Sequence, residues 1–178
     1  MRELDFEQLW RKLAKPRFTT FRFARKDKDW ATGETVTVVY RKRNPNDRSV
    51  LGQAVIIDKV PRWVSHVTVT DGIATLNTRE AQADGFVDIA SMYAFMDKAP
   101  GHRRWLEPMN KLTLAWTQYW VYQPEQKPHV AKEWAALLGA NGKGLSISGN
   151  GPQFIVHQDM LYDAQHQAAL GALVVNEE

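Results

Sequence analysis

The side chains that could do chemistry gather in a few short stretches. "RFTTFRF", Arg17 to Phe23, sets two threonines among arginines and aromatics. Its β-branched and aromatic content reads as a strand. A period of two puts Arg17, Thr19, Phe21 and Phe23 on one face and Phe18, Thr20 and Arg22 on the other. Neither face is cleanly apolar, so this strand is either an edge or the lining of a polar site. "YRKRNPNDR", Tyr40 to Arg48, is the densest basic run. Its Arg41, Lys42, Arg43 and Arg48 lie at a strand end and in the following loop, where they can reach a phosphate backbone or simply solvate a hairpin tip. Arg22, Arg25, Lys26 and Lys28 add to the basic surroundings. In "GHRRW", Arg103 and Arg104 beside His102 and Trp105 could clamp a phosphate while the ring stacks on a base, or the loop could bury the ring and leave the arginines in water.

Other chemistries lack their signatures. Without cysteine there is no disulfide and no thiolate metal site. The histidines (His66, His102, His129, His157 and His166) show no metal-ligand spacing, so neither a metal nor a cofactor is expected. "GANGKGLSISGNG" is not a phosphate loop, because Gly144 follows Lys143 where a serine or threonine is required. There is no G-x-S-x-G elbow.

The chain of 178 residues is 44% apolar and 24% charged, an ordinary globular balance able to bury a core. No apolar run is long enough to span a membrane, and "MRELDFEQLW" has no signal-peptide character, so a cytoplasmic location is expected. The net charge of +3 is unevenly spread: residues 1–62 carry a balance of +7 and residues 63–178 one of −4. That asymmetry suits an anionic partner.

The elements that must position these residues follow from punctuation and periodicity. Asp5 is expected to cap a short helix over "FEQLWRKL", with Phe6, Leu9, Trp10 and Leu13 as its apolar stripe and Pro16 as its stop. "TVTVVYRK" and "VLGQAVIIDKVPRW" read as strands, the second bent near Pro61, and "SHVTVTDG" as a further short one. Thr78 is expected to cap "REAQA", closed by Asp84-Gly85, and Asp88 to cap "IASMYAFMDKA". "KLTLAWTQYWVY" is a long strand. "HVAKEWAALLG" is a helix, "QFIVH" a strand and "DMLYDAQHQAALGALVV" a last helix. Among the tryptophans, Trp30 and Trp63 lie nearest the basic loops and are expected to be exposed. The fold class is α+β: a small, mostly antiparallel barrel over residues 1–122 and a C-terminal helical extension, 123–178, packed on it.

The ordered series "RFTTFR", "WATGETVTVVY", "VLGQAVIIDKV", "TREAQADGF" and "NKLTLAWTQYW" resembles the ASCH domain, a branch of the PUA-like superfamily. The match covers roughly residues 5–122. The resemblance implies a five- or six-stranded barrel with a cleft between its first strand and the helix ending in "DGF". Thr20 and Arg22 match the family's Thr-x-Arg. Arg17 falls where many relatives carry lysine, and Asp84 where small amidohydrolases of acetylated cytidine carry a catalytic glutamate. Those enzymes use a Lys, Thr and Glu set. With Arg17 in the lysine's place, Thr20 loses the group that would deprotonate it, because an arginine does not give up its proton.

The function expected from all this is binding of nucleic acid, RNA foremost, or of a modified nucleotide. Arg17, Arg22, Arg25, Lys26, Arg41, Lys42, Arg43, Arg48, Trp63, Arg103 and Arg104 would form the contact surface. The alternatives are a hydrolase of acylated nucleosides or RNA using Thr20 and Asp84, and a protein-interaction adaptor, of a size that would suit a phage. In that last case residues 123–178 would hold a protein partner or a second copy of the chain.

Overall fold

The computed structural model describes residues 1–65, 71–98, 106–122, 128–139 and 153–155. Its centre is one curled sheet, a half-barrel in an α+β fold. The strands are β1 (Arg2–Phe6), β2 (Arg17–Phe23), β3 (Thr35–Tyr40), β4 (Ser49–Arg62), β5 (Met109–Tyr122) and β6 (Gln153–Ile155). They run in the order β1-β3-β4-β5-β2, with β6 added on β5. All neighbours are antiparallel except β1, which lies parallel to β3 with Leu4 opposite Val38.

The curl has local causes. An extra residue in one strand of a pair bends it and increases its twist. The register shifts at Val38/Val39 in β3 and twice in β4, at Gln53/Ala54 and Ile56/Asp58. The bend expected at Pro61 is therefore earlier. Pro61 pairs with Asn110 in an unbroken run of ladder. It is tolerated because the described pairing on the other edge of β4 stops before it: β3 pairs only from Ser49 to Val55, and Ile56 then bonds to Gly33 and Glu34.

The largest correction concerns the N-terminus. Asp5 caps no helix: residues 2–6 are a strand, and only Arg11–Ala14 turn, as one 3-10 helix. Leu4 and Phe6, two apart, both drop into the core against β3, whereas a helix ended by Pro16 would be too short to sustain itself. The apolar stripe at helical spacing is real, but two different elements share it.

The main core lies inside the curl, with Leu4, Phe6, Leu13, Phe18, Trp30, Val36, Val38, Leu51, Ile56, Leu112, Leu114 and Trp116. Helix α3 (Pro128–Gly139) closes it with Val130 and Trp134, whose ring lies 6.1 Å from that of Trp116. A second core sits under α1 (Thr78–Ala83) and α2 (Ile89–Met96), around Phe21, Val64, Leu76, Met92 and Tyr93. α1 starts one residue before expectation. Asn77, not Thr78, is its cap, in a reciprocal box with Glu80, and Asp88 caps α2 as expected. The expected final helix, the glycine-rich stretch and residues 66–70 lie outside the described residues.

The outermost strands of the sheet, β1 and β2, approach each other without a ladder between them among the described residues. Side chains span the seam. The Phe6 and Phe18 rings meet edge-on at 6.0 Å, and Arg22 Nη2 donates to the Asp5 carbonyl at 2.5 Å. The 3-10 turn is pinned nearby: Leu13 is fully buried and its carbonyl accepts from Trp116 Nε1 at 2.9 Å. Trp116→Phe leaves that buried carbonyl without its donor. We expect a loss of about 1–3 kcal/mol, read as a lower urea midpoint with unchanged slope.

Candidate functional site

Four polar side chains converge at the seam. Lys12 comes from the 3-10 turn, Thr20 and Arg22 from one face of β2, and Asp84 from the end of α1. Together with Asp5, Phe6, Glu7, Trp10, Phe21, Phe86, Phe95 and Met96 they line a cavity of about 100 Å³.

Asp84 arrives there because α1 stops on it. It is the helix C-cap, and Gly85 follows at φ +102°, a conformation that side chains disfavour. Gly85 is also pressed against Trp10, since a Cβ on it would sit 3.1 Å from the indole. The "DGF" turn thus aims a carboxylate inward and clears space for an aromatic wall. Trp10, Phe86 and Phe95 form that wall, with ring centroids 5.0–5.5 Å apart.

Lys12 and Asp84 form an ion pair, Nζ to Oδ1 at 2.7 Å, with the two side chains 4% and 7% exposed. Thr19 Oγ1 donates to the same oxygen at 3.4 Å. Burial pushes the Lys12 amine down to about 8; Asp84 opposes that shift and the charge of Arg22 adds to it. Burial pushes Asp84 upward, against the pull of Lys12 and Arg22. Both shifts have one sign of meaning: the surroundings disfavour charge on either partner. Arg22 stacks over Phe6 at 5.0 Å, and its buried Nε has no hydrogen-bond partner.

The sequence reading paired Thr20 and Asp84, and the structure does place both at this cavity. The cation expected beside them, Arg17, is not at this cavity. Arg17 is exposed and does not line the cavity; the amine is supplied by Lys12, five residues earlier. A signal for Lys12 existed in its position between Trp10 and Leu13, one residue inside an apolar stripe. The expected helix hides it, because Lys12 is not part of the stripe of Phe6, Leu9, Trp10 and Leu13.

The basic loops are largely self-neutralised. Arg41 Nη1 meets Asp47 Oδ2 at 2.7 Å, while Lys42 and Arg48 share Glu3 at 3.0 and 2.8 Å. Hydrogen bonds from Lys42 and Arg48 hold the Glu3 carboxyl below its usual range. Arg25 is paired with Asp27 at 2.9 Å. Of this set Lys26, Lys28 and Arg43 project without a carboxylate partner among the described residues. The tryptophans expected to be exposed are not. Trp30 is 5% exposed under Arg2 and Arg25, and Trp63 is 8% exposed with its indole N–H on Asp71. Arg103, Arg104, His102 and Trp105 lie outside the described residues. No cluster of metal-ligating side chains occurs among the described residues, and no described helix is long and apolar enough to cross a membrane. No family model, curated protein or solved structure matches the chain.

Removing one partner of a buried pair strands the other. Lys12→Met or Asp84→Leu alone should cost about 3–5 kcal/mol, and the double variant should recover most of it or exceed wild type. Denaturant titrations of the four proteins check this. A pH series adds a signed test. Lys12 gives up its proton near 8 in the fold and near its ordinary value of 10.5 when unfolded. The unfolded state therefore binds more protons between those values, and stability relative to the double variant should rise from pH 8 toward 10. Gly85→Ala, strained by its φ and crowding Trp10, should lose about 1–2 kcal/mol in the same assay.

Proposed function

We propose that the cavity is a pocket for one small, flat, polar ligand, the modified base of a nucleoside or nucleotide, carried on a PUA-like barrel of the ASCH kind. The observation that carries this reading is the convergence of Lys12, Thr20, Arg22 and Asp84 on one cavity walled by Trp10, Phe86 and Phe95. An apolar cavity of about 150 Å³ takes a benzene ring. One of about 100 Å³ suits a single ring edge with its substituent rather than a run of polymer. Aromatic walls give stacking area, and donors and an acceptor at the floor can read a base edge. A carboxylate such as Asp84 accepts from an exocyclic amine.

This reading moves weight from the RNA backbone to the base. Cations already held by Asp47, Glu3 and Asp27 release few counterions on meeting phosphate, so salt dependence should be shallow. Calorimetric titration with cytidine, acylated cytidine and single-stranded RNA at two salt concentrations tests it. We expect binding of a nucleoside that hardly changes with salt and weakens about five- to hundredfold in Trp10→Ala, the worth of one stacked base. Binding of RNA alone, steeply salt-dependent and indifferent to Trp10, would overturn it.

A specific observation favours a second reading, hydrolysis of an acylated nucleoside. An amine lowered to about 8 is partly neutral near pH 7, the condition for a general base. Lys12 would take the proton from Thr20 or from a water as it attacks the acyl carbon. Turnover should then climb with pH to a plateau above about 8 and vanish in Lys12→Met. A flat profile would remove Lys12 as the base.

A further inference from the structure

We propose that Lys12 is also a site of covalent capture, its amine forming an imine with a small aldehyde that bears an oxygen on the neighbouring carbon. This rests on the reading that the cavity admits a small ligand.

The geometry supplies each requirement. Lys12 is among the residues that line the cavity, its side chain is 4% exposed, and Phe6 and Trp10 lie 5.5 and 5.8 Å from its amine. Asp84 Oδ1, at 2.7 Å, can carry protons between the amine and the carbonyl oxygen. Arg22 offers the second point of contact. Its Nε is a buried donor with no partner in a residue that lines the same cavity. Leaving such a donor unmet is costly, and an oxygen beside the reacting carbon would satisfy it. The charge of Arg22 further disfavours the ammonium form of Lys12. A desolvated lysine beside a second cation is a recognised way to make an amine nucleophilic. The remaining charged groups around the cavity are Asp5 and Glu7, at its β1 side.

The chemistry balances without a redox partner. The neutral Lys12 nitrogen attacks the aldehyde carbon, and the C=O π pair moves to oxygen. Asp84 relays a proton from nitrogen to that oxygen, giving the carbinolamine. Asp84 then takes the remaining N–H proton and passes it to the hydroxyl, which leaves as water while the nitrogen lone pair forms C=N. One amine and one aldehyde become one imine and one water.

The test uses the full chain with glyoxylate as probe and cyanoborohydride to fix the imine. Intact mass and peptide mapping then locate the carboxymethyl group. Because burial lowers the pH at which Lys12 loses its proton, it holds more free amine at pH 7 than a solvated lysine. We expect modification concentrated on Lys12, with its rate rising through pH 8. Acetaldehyde, which lacks the second oxygen, should react more slowly, and Arg22→Met should erase that preference. Lys12→Arg should abolish the mapped peptide, with circular dichroism checking the fold. The wild-type map and pH profile decide the matter even if that variant does not fold. Modification spread over the exposed lysines, with Lys12 reacting only in urea, overturns the proposal. If nucleoside binding persists in that case, the pocket reading survives and only the covalent step falls. If neither ligand engages the cavity, both fall.

Discussion

The ion pair between Lys12 and Asp84 is the constraint on which the site depends. It ties the 3-10 turn to the end of α1, two pieces of chain 72 residues apart. It does so where both charges are almost fully out of water. Such a pair stabilises a fold weakly, because desolvation offsets most of the attraction. A methionine and a leucine would fill the same space without that cost. What the charges add is geometry: an amine held at one point, a carboxylate held against it, and a cavity in front of both. The arrangement extends outward through the Gly85 turn, which exists at one contact distance from Trp10, and through Trp116, which fixes the carbonyl next to Lys12.

Much of this fold can be read from the sequence, and the failures share a cause. β3, β4 and β5 are long runs with β-branched periodicity and turn residues between them, so local pattern and tertiary environment agree. The caps at Asn77 and Asp88 are local chemistry, legible to within a residue. β1 is different. Its identity depends on a parallel partner at Val36–Tyr40, which no local window contains, and Phe6, Leu9, Trp10 and Leu13 imitate a helix by spacing alone. Lys12 was missed for the same reason. Within the cavity, Thr20 and Asp84 were legible because a strand face and a helix stop each announce a direction. Trp30 and Trp63 misled because nearness to basic residues in sequence does not decide which side of the sheet a ring faces.

The charge asymmetry of the chain also changes meaning once folded. The basic excess of the first third is not one surface. Part of it is Lys12 and Arg22, turned inward. Another part is the 41–48 loop, where Glu3 and Asp47 hold three cations, and His129 of α3 reaches the same Asp47 at 3.1 Å. These contacts brace a hairpin whose first residue, Arg41, sits at positive φ. Net charge by segment therefore measures scaffolding as much as any outward field.

The parallel placement of β1 has a consequence for how the molecule comes into being. β3 and β4 are joined by a short connection and can form as soon as they leave the ribosome. β1, already made, needs only to dock on that hairpin. β2 must wait, because its ladder partner is β5, some ninety residues later in the chain. Until β5 is made, β2 and the turn that carries Lys12 lack the ladder partner that positions them. Only the arrival of β5 draws β2 into place and brings the turn down beside Asp84. The cleft depends on β5, so a chain cut short before β5 would have no site at all.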